Sequence, residues 1–204
     1  MTEILGYGED SLTLWALKNH VSTILQTFSD KTGPSECLAF YRPSFGRAGG
    51  KDSSEFGEFD AIIVSRENVY LIESKWDRDS SSDKERNRPR SVQTLRHEVF
   101  SWYLTHWNRG YCGHWENFLK EYGDDLKKTL RKRLPGYDTT LRKNLEFVLS
   151  SILEHCRSFS GLENIKNVLL VFHAGNRPTL DVEGFTPICI NYSQNATGNF
   201  IKVC

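Results

Sequence analysis

Asp60, Glu73 and Lys75 are the residues of this chain whose types and spacing could do chemistry. An acid on one strand, followed by acid-x-lysine on the next, suits a divalent cation held beside a protonated amine. That combination points to phosphodiester hydrolysis, in which an ion activates water and the amine meets developing charge. All three residues lie in the segment 59–76, FDAIIVSRENVYLIESKW. Two apolar runs, DAIIV and VYLIE, flank the polar turn Ser65-Arg66-Glu67-Asn68, which is the signature of a β-hairpin.

Closing the turn between Arg66 and Glu67 pairs Val64 with Val69, Ile62 with Leu71, and Asp60 with Glu73. Directly opposed residues point to one face, with Cβ atoms about 5 Å apart. Lys75, two residues past Glu73, shares that face. One face therefore carries Asp60, Glu73 and Lys75 beside Ile62, Val64, Val69 and Leu71; the other carries Ala61, Ile63, Tyr70, Ile72 and Trp76. Both faces are apolar over most of their length, so the hairpin is expected to be covered on both sides. Two carboxylates at its rim repel, and a divalent cation between them removes the conflict. A one-residue slip would put Asp60 and Glu73 on opposite faces. The plainer reading of the same residues is a solvated strand end with a surface ion pair.

The elements that must position this hairpin are legible as apolar patterns. Residues 10–29 read as a helix with Leu14, Leu17, Val21, Ile24, Leu25 and Phe28 as its stripe, capped by Asp10 or Ser11. Residues 37–42 read as a short strand, and 43–57 as a flexible, glycine-rich loop in which Arg47 and Lys51 could contact substrate. Residues 77–90, without an apolar side chain, read as an exposed loop. A second helix spans 91–107, capped by Ser91, with Val92, Leu95, Val99, Trp102, Tyr103 and His106 on one side; Gln93 and Arg96 sit in its first turns, where either could reach the site. Residues 113–160 read as helical, with Leu126, Leu130 and Leu134 as a buried edge. Residues 167–173 and 187–192 read as strands.

Charge balances over the 204 residues, with 26 basic and 26 acidic side chains, so any nucleic-acid contact must come from local patches. Two such patches stand out: Lys84, Arg86, Arg88 and Arg90 before the second helix, and the run Lys127, Lys128, Arg131, Lys132, Arg133. Each is either a solvated surface or a phosphate-backbone contact. Five cysteines, odd in number and widely spaced, argue against a disulfide framework. His106, Cys112 and His114 match no common zinc spacing. The absence of a long apolar run and of a signal-peptide core sets the expectation of one cytoplasmic domain over 1–204, with no membrane partner and a helical insertion at about 111–160.

The order helix, strand, hairpin strands carrying Asp60 and Glu73-Ser74-Lys75, helix, insertion, strand, strand resembles the PD-(D/E)XK nuclease superfamily, which includes restriction endonucleases, resolvases and defence nucleases. Phe59 stands where the superfamily's name has proline. The resemblance implies an α/β fold with a restriction-endonuclease-like core: a central mixed β-sheet flanked by helices in the order αβββαβ. It implies that Asp60, Glu73 and the Ser74 carbonyl hold Mg²⁺, with Mn²⁺ able to substitute, and that Lys75 orients the attacking water or meets phosphate charge. Glu9 on the first helix would complete the metal shell, with Asp10 as its rival, and Gln93 would contact the site. The implied partner is nucleic acid, DNA rather than RNA, with a homodimer or an activating sensor protein as further partners. A non-catalytic nucleic-acid-binding or regulatory subunit is the alternative function.

Overall fold

The computed structural model describes residues 3–47, 49–77, 87–198 and 200–203. Their first half comprises β1 (Leu5–Tyr7), α1 (Glu9–Asn19), α2 (Val21–Thr27), β2 (Leu38–Tyr41), β3 (Ser44–Phe45), β4 (Gly57–Glu58), β5 (Ala61–Val64) and β6 (Val69–Asp77). Then follow α3 (Ser91–His106), α4 (Trp115–Leu130), α5 (Thr140–His155), β7 (Ile165–His173), β8 (Thr186–Asn191), β9 (Ala196–Thr197) and β10 (Phe200–Lys202). Lys84 and Arg86 lie outside the described residues.

The architecture is α/β around a mixed five-stranded sheet of order β2-β5-β6-β7-β8. β2, β5 and β6 run antiparallel, whereas β7 and β8 continue parallel to β6. The hairpin β5–β6 takes the register that alternation demands, Ile62 opposite Leu71 and Val64 opposite Val69. Its turn closes by Ser65 N donating to Asn68 O at 2.9 Å. Each face then enters a different core. Ile62, Val64, Val69 and Leu71 join α3, α4 and α5 through residues such as Phe100, Tyr103, Phe118 and Leu149. Ala61, Ile63, Tyr70 and Ile72 join α1 and α2 through Leu12, Trp15, Ile24 and Leu25. Burial on both faces explains why both strands read as continuous apolar runs.

The turn is fixed from below by one buried carboxylate. Asp30 Oδ2 accepts from Asn68 Nδ2 at 2.9 Å and from the Tyr70 hydroxyl at 2.7 Å, and Ser65 Oγ donates to the same atom. Its other oxygen accepts from Thr32 N at 2.9 Å. Burial alone would raise this carboxyl; the donors from Asn68, Ser65, Tyr70 and Thr32 outweigh it and hold it well below the usual carboxylate range.

Five expectations need correction. The first helix is two: the chain leaves helical geometry at His20 (φ −125°, ψ 12°). Extrapolating one 3.6-residue period across that break misplaced the stripe; α1 buries Leu12, Thr13, Trp15 and Ala16, while Leu14 and Leu17 are only half-buried. The helical reading of 113–160 also breaks, with α4 and α5 separated by 131–139. Arg131 takes the left-handed conformation at φ 53°, so the basic run does not continue as helix. Lys132, expected on a solvated or DNA-facing surface, is buried: its Nζ donates to Gly49 O (2.7 Å), Gly50 O (3.2 Å) and Glu55 O (2.8 Å).

The fourth correction follows from that contact. The loop 43–57 is anchored, because Phe45 and Phe56 at its two ends are buried and stack with ring centroids 4.9 Å apart. On α3, Val92 is exposed, and Gln93, Arg96 and His97 are buried instead. Polar residues replace apolar ones on that face because it lies against Glu73 rather than against aliphatic core. A further sheet, of order β1-β10-β9, had no counterpart in the apolar pattern because its strands are only two or three residues long.

Candidate active site

The site is assembled at the ends of β5 and β6 from three directions. Asp60 precedes β5 and its Oδ2 accepts from Ser74 N at 2.7 Å. Glu73, on the central strand, is 1% exposed. Lys75 Nζ donates to Glu73 Oε1 at 2.9 Å and to the Ser74 carbonyl at 3.0 Å. From one side of the sheet, α1 begins at Glu9, whose Oε2 accepts from Trp76 N at 2.9 Å. Its Thr13 hydroxyl donates to Ser74 Oγ at 2.8 Å and so ties the helix to the same strand. From the other side, α3 delivers Gln93 and Arg96: Gln93 Nε2 donates to Glu73 Oε1, and Arg96 Nη1 donates to Glu73 Oε2 at 3.3 Å.

Glu9 and Asp10 are now distinguished. Glu9 shares the buried phase of Leu12, Thr13 and Ala16, whereas Asp10 pairs with Arg42, which also holds Glu58. Gln93 is fixed at its far end, where its Oε1 accepts from Arg90 N at 2.7 Å at the start of α3. Arg96 lies over the Phe59 ring, 5.6 Å from its centroid. Gly57 makes room for it: at φ +105° a Cβ there would stand 3.1 Å from Arg96 Nε. Gln93 was readable as one helical turn from the preceding loop. Arg96 follows from the same reasoning, three residues later on the same face. Thr13 had no signal beyond its i+4 spacing from Glu9.

Electrostatically the cluster is frustrated. Burial raises the Asp60 carboxyl to about 6, and Glu73 adds to the rise, against opposing effects of Ser74 N, Lys75 and Arg96. Burial also raises Glu73, with Lys75 and Arg96 opposing and Glu9 reinforcing. Glu9 is raised by burial and by Asp60, opposed by Lys75 and the Trp76 amide. Each carboxylate is therefore close enough to the others to resist their ionisation.

The remaining basic candidates are exposed: Arg47 and Lys51 on the glycine loop, Arg88 and Arg90 before α3, and Lys127, Lys128 and Arg131 at the end of α4. Arg90 adjoins the site through Gln93, and Arg131 adjoins the glycine loop, its carbonyl accepting from Asp52 N at 2.9 Å.

Oxygen donors suit Mg²⁺, a hard cation that takes few carboxylates and keeps its waters. Among the described residues, Asp60 Oδ1 and Glu9 Oε1 carry no hydrogen bond, while both Glu73 oxygens are engaged by Lys75, Gln93 and Arg96. No group of three or more His, Cys, Asp or Glu side chains among the described residues is already gathered as an ion cage. The oxygen donors of Glu9, Asp60 and Ser74 are of the kind a hard cation takes, and Glu73 would have to be shared with Lys75, Gln93 and Arg96. Among the described residues no helix is long and apolar enough to cross a membrane. No family model, curated protein or solved structure matches this chain.

Proposed function

We propose that this chain is a metal-dependent nuclease with a restriction-endonuclease-like core, hydrolysing phosphodiester bonds, with DNA as its substrate. The observation that carries the reading is the convergence, at one end of the central hairpin, of Asp60 bonded to the Ser74 amide, Glu73 bonded to Lys75, and Glu9 bonded to the Trp76 amide. Burial first, and neighbouring charge second, raises all three carboxyls, and acids perturbed together in one place support a site built for a cation. With α2, β3, β4, α4 and α5 set aside, the elements α1, β2, β5, β6, α3 and β7 follow in the αβββαβ order that the resemblance implies, which supports the reading.

Asp60, Glu9 and the Ser74 carbonyl would hold Mg²⁺, with Glu73 as the inner carboxylate. The ion, when bound, lowers the pKa of a water and offsets phosphate charge. Lys75 is placed to donate toward oxygen charge developing on phosphorus, since its Nζ already spans Glu73 and Ser74. Gln93 and Arg96 hold the Glu73 carboxylate in one rotamer, and Arg96 keeps a positive charge behind it. Hydrolysis adds water across the bond: its oxygen joins phosphorus, the P–O ester bond breaks, and the leaving oxygen takes up a proton.

Purified protein should cut DNA with Mg²⁺ or Mn²⁺ and not with EDTA. Asp60→Ala, Glu73→Ala and Lys75→Ala should each lower the rate by roughly a hundredfold or more. If all three variants cut like the unaltered chain, the assignment is wrong. The engagement of both Glu73 oxygens favours one second reading, a regulatory subunit that docks nucleic acid without cleaving it. Salt-sensitive DNA binding with no affinity for Mg²⁺ or Mn²⁺ would identify that subunit.

A further inference from the structure

The glycine-rich loop and the end of α4 are distant in sequence and joined in space. Lys132 is 3% exposed, and its ammonium donates to the carbonyls of Gly49, Gly50 and Glu55 at 2.7, 3.2 and 2.8 Å. A lysine ammonium has three N–H donors, so this tripod of carbonyls satisfies it completely. Beside it the two backbones bond directly. Asp52 N donates to Arg131 O at 2.9 Å, and Arg133 N donates to Ser53 O at 3.3 Å. Asp52 and Arg131, which meet there, both take left-handed φ, 61° and 53°, a backbone conformation that the joint holds in place.

The joint brings Arg47 and Lys51 of the loop beside Lys127, Lys128 and Arg131 at the end of α4. All five are exposed, and among the described residues none has a side-chain hydrogen bond or ion pair. The neighbouring acids are mostly engaged. Asp52 faces Arg133 at 3.9 Å, Asp125 accepts from the Trp102 indole at 2.9 Å, and Glu55 offsets the buried Lys132. Asp124, one turn before Lys128, offsets one cation. The surface is positive on a chain whose charges sum to zero.

We propose that these cations form one ridge that holds the sugar-phosphate backbone of a nucleic acid outside the cleavage centre, with Lys132 as the positioning residue that fixes it. The proposal rests on the nuclease reading and deepens it by naming where the flanking backbone of the substrate lies. The ridge starts at the site: the loop ends at Gly57, against Arg96, whose guanidinium donates to Glu73. Cations read phosphates and no base edge, so recognition here is independent of sequence. An anionic membrane is a poorer occupant. Among the described residues, no exposed large apolar side chain falls within 46–55 or 127–133 to insert between lipids.

Fluorescence polarisation on the full chain in EDTA tests this, with labelled duplexes of about 20 base pairs in unrelated sequences. The unaltered chain should bind them alike. Lys51→Gln combined with Arg131→Gln should weaken binding about tenfold at low salt and lower the salt slope by about two, as two phosphate contacts go. Lys132→Met removes a buried charge that reaches no phosphate, yet should cause a similar loss. Adding it to the double variant should cost little more. Asp52→Pro removes the Asp52 N–H and its left-handed turn at an exposed residue, and so opens the joint without opening the core. It also removes an acid, which on charge alone would tighten binding; the ridge predicts weaker binding. That variant decides the matter if Lys132→Met does not fold by circular dichroism. Four results would overturn the proposal: an unchanged salt slope in the double variant, unaltered or tighter binding by Asp52→Pro, additive losses with Lys132→Met, or competition by phosphatidylserine vesicles. Ridge-dependent binding by a chain that never cuts would uphold the ridge while removing the nuclease reading. Metal-dependent cutting with binding indifferent to every variant would do the reverse.

Discussion

Asp60 occupies a position that stability alone would not choose. Its carboxyl titrates at about 6 in the fold, against an ordinary value of 3.8. A raised acid binds its proton more tightly folded than unfolded, so its ionisation removes stability as pH rises from about 4 to about 6. Above that window the full penalty persists, on the order of 1–2 kcal/mol for a site partly reached by solvent. Asp60→Asn keeps an acceptor for Ser74 N and removes the charge. In EDTA at neutral pH it should therefore unfold a few degrees higher than the unaltered chain, about 2–4 °C per kcal/mol, and the gain should vanish in mild acid. Equal melting temperatures at neutral pH would mean that the penalty is not there. At this scale the sequence was informative: the alternation of 60–64 against 69–75 placed Asp60, Glu73 and Lys75 together without side-chain knowledge. Partners that arrive from other elements were harder to read. Thr13 depends on how α1 meets the sheet, which local spacing does not specify, whereas Arg96 was readable as a residue of the first turns of α3 that could reach the site.

At the scale of elements, the hairpin turn is held by Asp30 rather than by its own residues. Four donors converge on one buried carboxylate, and bonds to a charged acceptor are worth more than neutral ones. Asp30→Ala should cost about 3 kcal/mol, because it strands the Ser65, Asn68 and Tyr70 donors. The folded pKa lies below the unfolded value of 3.8, so the stabilisation is complete above that value and declines as pH falls below it. Urea titrations at about pH 7 and about pH 3 should show the variant's deficit shrinking in acid. A deficit independent of pH would assign the loss to packing instead. Asp30 gave no sequence signal, since it sits 35 residues from Ser65. The same holds for Lys132, whose contact with Gly49 is 83 residues distant in sequence. Element type was readable where apolar periodicity ran unbroken, as in α3, β6 and β7. It failed at His20, where a single residue leaves helical geometry without Gly or Pro to announce it, and at Arg131, where the Pro135-Gly136 pair four residues on was the signal passed over.

For the whole molecule, zero net charge means that nucleic acid cannot be gathered by a global field. On the proposed nuclease reading, affinity would come from a few exposed cations near the site. Arg88 and Arg90 are the described ones closest to α3 and Gln93. Reversing both to Glu should weaken DNA binding about tenfold at low salt and flatten its salt dependence. An unchanged salt slope would place the contact elsewhere. The central sheet walls two cores at once, so the carboxylates at its end are positioned by α1 from one side and α3 from the other. That arrangement brings Glu9, Asp60 and Glu73 to one end of the hairpin. Its most direct test is calorimetric titration with Mn²⁺. The unaltered chain should bind it saturably; Asp60→Asn and Glu73→Gln should lose that binding, and Asp10→Asn, whose carboxylate is turned to Arg42, should keep it. No binding by the unaltered chain, or binding indifferent to Asp60→Asn and Glu73→Gln, would contradict the account.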